Sequence, residues 1–281
     1  MLENTVVTKA SGGKVNELQL PAADGGSIHC ISAGTGPTVL LAHGFMVDLT
    51  SYAPIFDQLV QRGYRVVAFD QRGHADSREG SAGTSPAAAV SDYHVLLEHF
   101  GVEGATIVGH SMGGFLALLF CLQYPEQMRR LRRLVLLGAN AGAVSKGSLS
   151  NKIQMPLIES GLLPRLWRMP RLGRELMKPL FGHKQDPEWL ELTRKMLVRN
   201  DAARALPLMR AMGSEDYYNK LAEIKVDARV LCGELDRTCP SWHSERLGKE
   251  LPNARNRWLP GAGHMLGYEA PDAIISAITD A

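Results

Sequence analysis

Short apolar, β-branched runs alternate with stretches of helical spacing along most of the chain. Glu17–Leu20 and Ser27–Ala33 read as two strands, separated by Ala22-Ala23-Asp24-Gly25-Gly26, a hairpin turn signal. Thr38–Ala42 is a continuous apolar run with the character of a central strand. Tyr52–Gln61 has helical spacing closed by Gly63, and Arg65–Phe69 is the next strand. Ser85-Pro86 combines an N-cap with proline at the first helical position and opens a helix to about Phe100. Ala105–Val108 and Leu134–Leu137 are further strands, with an apolar helix to Tyr124 between them. The pattern returns at Arg229–Cys232, a helix over Ser241–Lys249, a strand at Arg257–Leu259 and a last helix from Pro271. This regular alternation predicts an α/β fold, with a doubly wound, mostly parallel sheet of eight strands flanked by helices.

Between Asn140 and Val226 the strand pattern disappears. The segment is helical in character, punctuated by prolines at 156, 164, 170, 179 and 207, with Asp186-Pro187 opening another capped helix. Six of the eleven methionines fall there: Met155, Met169, Met177, Met196, Met209 and Met212. The expected organisation is a core over 1–139, an inserted helical cap over 140–226, and a second part of the core over 227–281. Most of these methionines fill a second small core, and a minority line an adaptable apolar pocket. Arg165, Arg168, Arg171, Arg174 and Lys178 recur at steps of three and four, as on one helix face. The simplest meaning is a solvated face, with an anionic-substrate or membrane-surface patch as the alternative. Residues 1–13 read as a polar lead-in.

Ala105-Thr106-Ile107-Val108-Gly109-His110-Ser111-Met112-Gly113-Gly114 passes from a buried strand through a tight turn into a buried helix. Ser111 stands at its apex in a Gly-x-Ser-x-Gly spacing. Such a turn brings backbones too close for side chains on its flanks, and strains the apex residue. It holds the hydroxyl clear of the sheet and aims the first helical N–H groups at whatever sits beside it. Active sites in doubly wound sheets lie at the carboxyl ends of the strands. His43, Asp70 and Ser111 each fall at such an end.

Composition narrows the picture. A net charge of +2 over 281 residues does not suggest a nucleic-acid binder. Cys30, Cys121, Cys232 and Cys239 lack metal-type spacing and read as free thiols, so neither a metal nor an organic cofactor is expected. Without a signal-like opening or an apolar run of membrane length, the expectation is a soluble cytoplasmic protein with no stable membrane insertion. The pattern gives no oligomeric state.

Ser111, Asp236 and His264 each follow a strand, in that order. Together with His-Gly-Phe at 43–45, Gly-His-Ser-Met-Gly-Gly at 109–114, Gly-Glu-Leu-Asp at 233–236 and Gly-Ala-Gly-His at 261–264, this resembles the α/β-hydrolase fold superfamily, in its serine-nucleophile, esterase- and lipase-like branch. The resemblance covers nearly the whole chain apart from the cap. It implies Ser111 as nucleophile, His264 as base and Asp236 as the acid that orients it. The backbone N–H groups of Phe45 and Met112 would form the oxyanion hole. His43, His74 and His110 are the other histidines near these motifs, and Glu234 and Asp227 compete for the acid role. Met46, Met155, Met177 and Met265 are candidate pocket residues.

Asp70-Gln71-Arg72-Gly73-His74 resembles a family segment that ties loops by ion pairs, with Ala75 where many members carry glycine. The expected substrate is a small-molecule ester with a small to medium apolar acyl group. A thioesterase, a lactonase, a C–C bond hydrolase, a cofactor-free perhydrolase or a non-catalytic ligand receptor on the same scaffold remain as alternatives.

Overall fold

The computed structural model describes residues 15–101, 103–146 and 148–280; the polar lead-in lies outside the described residues. The eight strands are β1 (Asn16–Pro21), β2 (Ser27–Ala33), β3 (Thr38–Ala42), β4 (Arg65–Phe69), β5 (Thr106–His110), β6 (Arg133–Leu137), β7 (Asp227–Gly233) and β8 (Ala254–Leu259). They form one sheet in the order β1-β2-β4-β3-β5-β6-β7-β8. β1 and β2 pair antiparallel, as do β2 and β4, and every other pairing is parallel. The α/β, mostly parallel sheet expected from the alternation is therefore present, and its strands start and stop near the predicted residues.

Alternation along the central strands explains the two layers. Leu40, Ala42, Val67, Ile107, Leu134 and Leu136 face one core, while Val39, Leu41, Val66, Val108, Val135 and Leu137 face another. Three helices from the first half of the chain are α1 (Ala53–Gln61), α2 (Pro86–Phe100) and α3 (Met112–Gln123), followed by the single turn α4 (Pro125–Met128). Residues from α2 and α3 fill the first core, and residues from α1 the second. α3 is buried from Met112 through Cys121, almost all round, which explains why its sequence lacks a polar stripe. Each fully buried Leu or Phe in it contributes about 1.5–3 kcal/mol of apolar burial. Ser85 caps α2 as the sequence predicts, its hydroxyl accepting from Ala88 N–H.

Between β6 and β7 the described residues form α5 (Leu149–Glu159), α6 (Leu162–Trp167), α7 (Pro170–Met177), α8 (Pro187–Arg199) and α9 (Ala202–Ser214), with short 3₁₀ turns and one isolated bridge between Gly142 and Asp216. α10 (Ser241–Glu250), the single turn α11 (Leu266–Glu269) and α12 (Pro271–Thr279) complete the chain. The basic run does not share one helix, as its spacing suggested. Pro170 cannot continue α6 and instead starts α7. Arg165 therefore lies on one helix, Arg171 and Arg174 on the next, and Arg168 at the joint.

Two edge strands close the sheet. Arg255 and Arg257 are exposed on β8, and Glu17 on β1, charges that discourage pairing with another chain. Among the described residues, no helix is long and apolar enough to cross a membrane.

Candidate active site

Ser111 sits between β5 and α3 with φ 51° and ψ −113°, a left-handed backbone that a non-glycine residue rarely adopts. The turn is held by the Ser111 N–H donating to Leu137 O at 2.9 Å. It is also held by close approaches that only glycine allows. A Cβ on Gly113 would run into the carbonyl of Ala42, and one on Gly44 would lie 2.8 Å from His110 Nδ1 and 3.4 Å from Ser111 Cβ. The glycines of the motif thus let the β3 loop and the serine turn meet.

Asp236 follows β7 and His264 follows β8. His264 Nδ1 lies 2.7 Å from Asp236 Oδ2. The other carboxylate oxygen, Oδ1, accepts from the N–H groups of Thr238 and Cys239 at 2.9 and 2.8 Å. With the carboxylate an acceptor on both sides, the imidazole carries its proton on Nδ1 and presents Nε2 as a base. Both side chains are buried. No hydrogen bond joins Ser111 Oγ to His264 Nε2, a contact that in hydrolytic enzymes often tightens only around the substrate. Gly138, at the end of β6 with φ 49°, closes the other side of the pair. A Cβ there would lie 2.9 Å from Asp236 Oδ2 and 3.1 Å from His264 Nδ1. Of the two competing acids, Asp227 is occupied at the start of β7 by Arg133 at 2.5 Å and by Arg229. Glu234 makes no side-chain hydrogen bond or ion pair among the described residues.

His110, expected from alternation to point away from the site, packs against His264. Its Nε2 lies 2.9 Å from His264 O, and the two rings are 4.7 Å apart. Burial, then the neighbouring His264, pushes His110 down to about 3, so it stays neutral.

His43 and His74 are absorbed by the loop that carries Phe45. Gln71 N–H donates to His43 Nε2 at 2.9 Å, and His43 Nδ1 donates to Gly44 O at 2.7 Å. Met46 N–H donates to His74 Nε2 at 3.1 Å. Burial holds both imidazoles neutral, His43 well below its ordinary value and His74 at about 4. A neutral ring can accept one hydrogen bond and donate another, which the loop uses to fix its path. Among the described residues, the Phe45 and Met112 N–H groups donate to no protein acceptor. Both are therefore available to an oxyanion.

Several residues that hold this site carried no signal in the sequence. Glu269, on α11, accepts from Gly263 N–H at 3.0 Å and from Gly182 N–H at 2.7 Å. Burial raises its pKa, and the backbone donors work against that rise. His264 N–H donates to Leu180 O at 2.8 Å. Glu269 and Leu180 thereby join the loop of His264 to the segment before α8. Asn200, between α8 and α9, donates to Met46 O at 3.1 Å and accepts from Ala75 N–H at 2.7 Å. Ala75 has φ 41°, in the left-handed region that glycine adopts without strain.

The candidate pocket methionines divide. Met46, Met177 and Met265 are buried in one cluster with Trp167, Phe181 and Tyr268. Met155 is only partly buried against that cluster. Ser145 Oγ donates to its sulfur at 2.9 Å. All four cysteines are buried free thiols.

Arg72 is buried and bidentate on Asp92, at 2.9 and 2.6 Å, and reaches Asp24 at 2.7 Å. Asp70, at the end of β4, accepts from Leu49 N–H at 3.1 Å and lies 2.7 Å from His29, whose other nitrogen is 2.9 Å from Glu17. Burial pulls the His29 imidazole down, but the Asp70 and Glu17 carboxylates outweigh it and lift it to about 9. A folded pKa above the ordinary histidine value stabilises the fold fully below about pH 6.5. That contribution is lost as pH rises through about 9. Wild type should therefore lose of the order of 2 kcal/mol relative to His29→Gln between pH 7 and 10, read by urea unfolding. Parallel pH curves for the two proteins would show that His29 is not charged in the fold.

Residues 39–277 match the model of the alpha/beta hydrolase family. The chain belongs to that family. It is 31% identical over 270 residues to a 2-hydroxy-6-oxononadienedioate/2-hydroxy-6-oxononatrienedioate hydrolase of Paraburkholderia phymatum, covering 90% of each chain. It is 30% identical to a 2-hydroxy-6-oxo-6-phenylhexa-2,4-dienoate hydrolase of Burkholderia cepacia, over 88% of this chain and 87% of that one. Among solved structures, an esterase of Exiguobacterium antarcticum superposes with a TM-score of 0.83. It is 22% identical, over 94% of this chain and all of the other. Two relatives of this alpha/beta hydrolase are thus named as hydrolases of 2-hydroxy-6-oxo acids, and a structural neighbour that shares its fold is named an esterase.

Proposed function

We propose that this alpha/beta hydrolase cleaves a carboxylic ester of a small to medium apolar acyl group through an acyl-enzyme on Ser111. The observation that carries the proposal is the strained serine turn beside a buried Asp236–His264 pair and two undonated backbone N–H groups. Ser111 Oγ adds to the ester carbon while its proton passes to His264 Nε2, and Asp236 stabilises the imidazolium. The carbonyl oxygen becomes an oxyanion held by the N–H groups of Phe45 and Met112. As the intermediate collapses, the C–O bond breaks and the alcohol leaves with the proton from His264. Water then adds to the acyl-enzyme, giving its proton to His264. The acid is released and Ser111 recovers its hydrogen.

Residues 140–226 act in this reading as a cap, and the buried cluster where it meets the core, around Met46, Met177 and Met265 with Met155 at its margin, receives the acyl chain. Apolar lining favours a neutral substrate. Each of the four buried arginines among the described residues, Arg72, Arg133, Arg194 and Arg229, is already paired with a carboxylate. A dioate would need a cation that this interior has not spared.

The names of the relatives favour a second reading, hydrolysis of a C–C bond next to a vinylogous ketone by the same residues. p-Nitrophenyl esters from acetate to laurate, run beside a 2-hydroxy-6-oxodienoate, separate the two. The ester reading expects a clear optimum of chain length and a higher kcat/KM for the best ester. A higher kcat/KM for the dienoate would overturn it.

A further inference from the structure

The outer face of α5–α7 departs from the rest of the surface. Six large apolar side chains are exposed among the described residues, and five of them lie on this stretch: Leu149 (72%), Ile153 (54%), Leu162 (46%), Met169 (52%) and Leu172 (39%). Leu149 and Ile153 stand one turn apart on α5 and share a side. The opposite faces of these helices are buried, through Ile158, Leu163, Trp167 and Met177. The exposed residues are therefore a second apolar surface, not the edge of the first.

Charge on the same stretch is one-sided. Between 149 and 178 there are six cations (Lys152, Arg165, Arg168, Arg171, Arg174 and Lys178) and two carboxylates, although the whole chain carries only +2. Both carboxylates are engaged, Glu159 by Arg210 at 2.8 Å and Glu175 by Lys178 at 2.6 Å. Arg165, Arg168 and Arg171 are exposed, and among the described residues none of these three nor Arg174 has a carboxylate within ion-pair distance. Unpaired arginines interleaved with exposed aliphatic side chains suit a surface that is anionic outside and hydrocarbon within. A second copy of this chain suits it poorly, since a two-fold contact would set arginine against arginine. A single-stranded nucleic acid would call for aromatic side chains, and none of the five is aromatic.

We propose that α5–α7 dock this protein on an anionic lipid surface, with Leu149, Ile153, Leu162, Met169 and Leu172 entering the headgroup region and Arg165, Arg168 and Arg171 meeting lipid phosphates. Docking is independent of the reaction at Ser111, and its test reads binding alone.

The full chain is sedimented with vesicles of phosphatidylcholine, and with vesicles of phosphatidylcholine mixed with an equal amount of phosphatidylglycerol. Binding should be about tenfold tighter or more on the anionic vesicles and weaken as salt is raised. Arg165→Glu/Arg168→Glu/Arg171→Glu should fall to the level of phosphatidylcholine alone. Leu149→Ser/Ile153→Ser should bind more weakly at every salt concentration. These side chains are exposed, so unchanged thermal unfolding is expected; the single Arg168→Gln variant, with a partial loss, serves if the triple variant does not fold. Equal binding to both vesicle types would overturn the proposal, as would full binding by the charge-reversed variant. Light scattering that shows a wild-type dimer made monomeric by Leu149→Ser/Ile153→Ser would assign the surface to a second copy instead.

Discussion

Ester hydrolysis by a Ser111→Ala variant is expected to fall by about 10⁶ in kcat, the scale seen when the nucleophile of a triad is removed. The two thiols nearest Asp236 offer no second nucleophile. Cys239 is buried with its thiol donating to Ala139 O at 3.2 Å, and burial raises it well above the ordinary thiol value. Cys232 is likewise pushed up, to about 11. Thiols held protonated do not attack. The variant should remain folded, because Ser111 Oγ makes no hydrogen bond that alanine would lose and alanine bears the same left-handed strain. Ser111→Gly should be equally inactive but about 1 kcal/mol more stable, since glycine relieves φ 51°. Initial rates on the best p-nitrophenyl ester, with urea unfolding of all three proteins, check both statements. A Ser111→Ala protein within tenfold of wild type would remove the serine from the reaction.

The inner strands β3 to β7 were legible because each is a short apolar run bounded by glycine, proline or charge. The edge strand β8, Ala-Arg-Asn-Arg-Trp-Leu, is mostly polar, and only its last half, Arg257–Leu259, stood out. Thr38–Ala42 and Arg65–Phe69 were read to the residue. Their order in space was not legible. β4 lies between β2 and β3, and pairing of strands far apart in sequence leaves no mark on local pattern. For the candidate site, Ser111, Asp236 and His264 stand out because each follows a strand end beside glycines. The supports that hold them do not. Asn200 reaches Met46 across 154 positions, Glu269 spans 87 to Gly182, and Arg199 meets Asp48 across 151. An asparagine at a helix end and a glutamate on a one-turn helix look like any solvated polar residue until the fold closes. The split of the basic run was within reach, since Pro170 stands in the middle of it. Periodicity alone counted three- and four-residue steps across a proline that no helix can pass without losing a hydrogen bond.

These supports also tie the helical segment between β6 and β7 to two sides of the candidate site. Arg199 and Asn200, at the turn between α8 and α9, grip residues 46–48 and 75–76, and Leu180 grips the base.

Asp236→Asn is expected to lower kcat by about 10⁴ while leaving KM and fold nearly unchanged. Thr238 N–H and Cys239 N–H both point at one carboxylate oxygen, so that side of residue 236 must be an acceptor. An asparagine meets this demand by placing its carbonyl there, which turns its NH₂ toward His264 Nδ1. Two donors cannot face each other, so the imidazole loses its Nδ1 proton and carries one on Nε2 instead. In that tautomer Nε2 cannot take the Ser111 proton, and the attack loses its base. Acylation and deacylation both need that base, so both should slow. Asp236→Ala would be a poorer test, since it also strands the buried Cys239 N–H, at about 1–3 kcal/mol, and leaves the part-buried Thr238 N–H without its acceptor. The diagnostic measurement is kcat and KM for wild type and Asp236→Asn on one ester, with thermal unfolding of both. A loss below tenfold in kcat would mean that another carboxylate orients His264, with Glu234, unengaged on the neighbouring turn, as the next residue to replace.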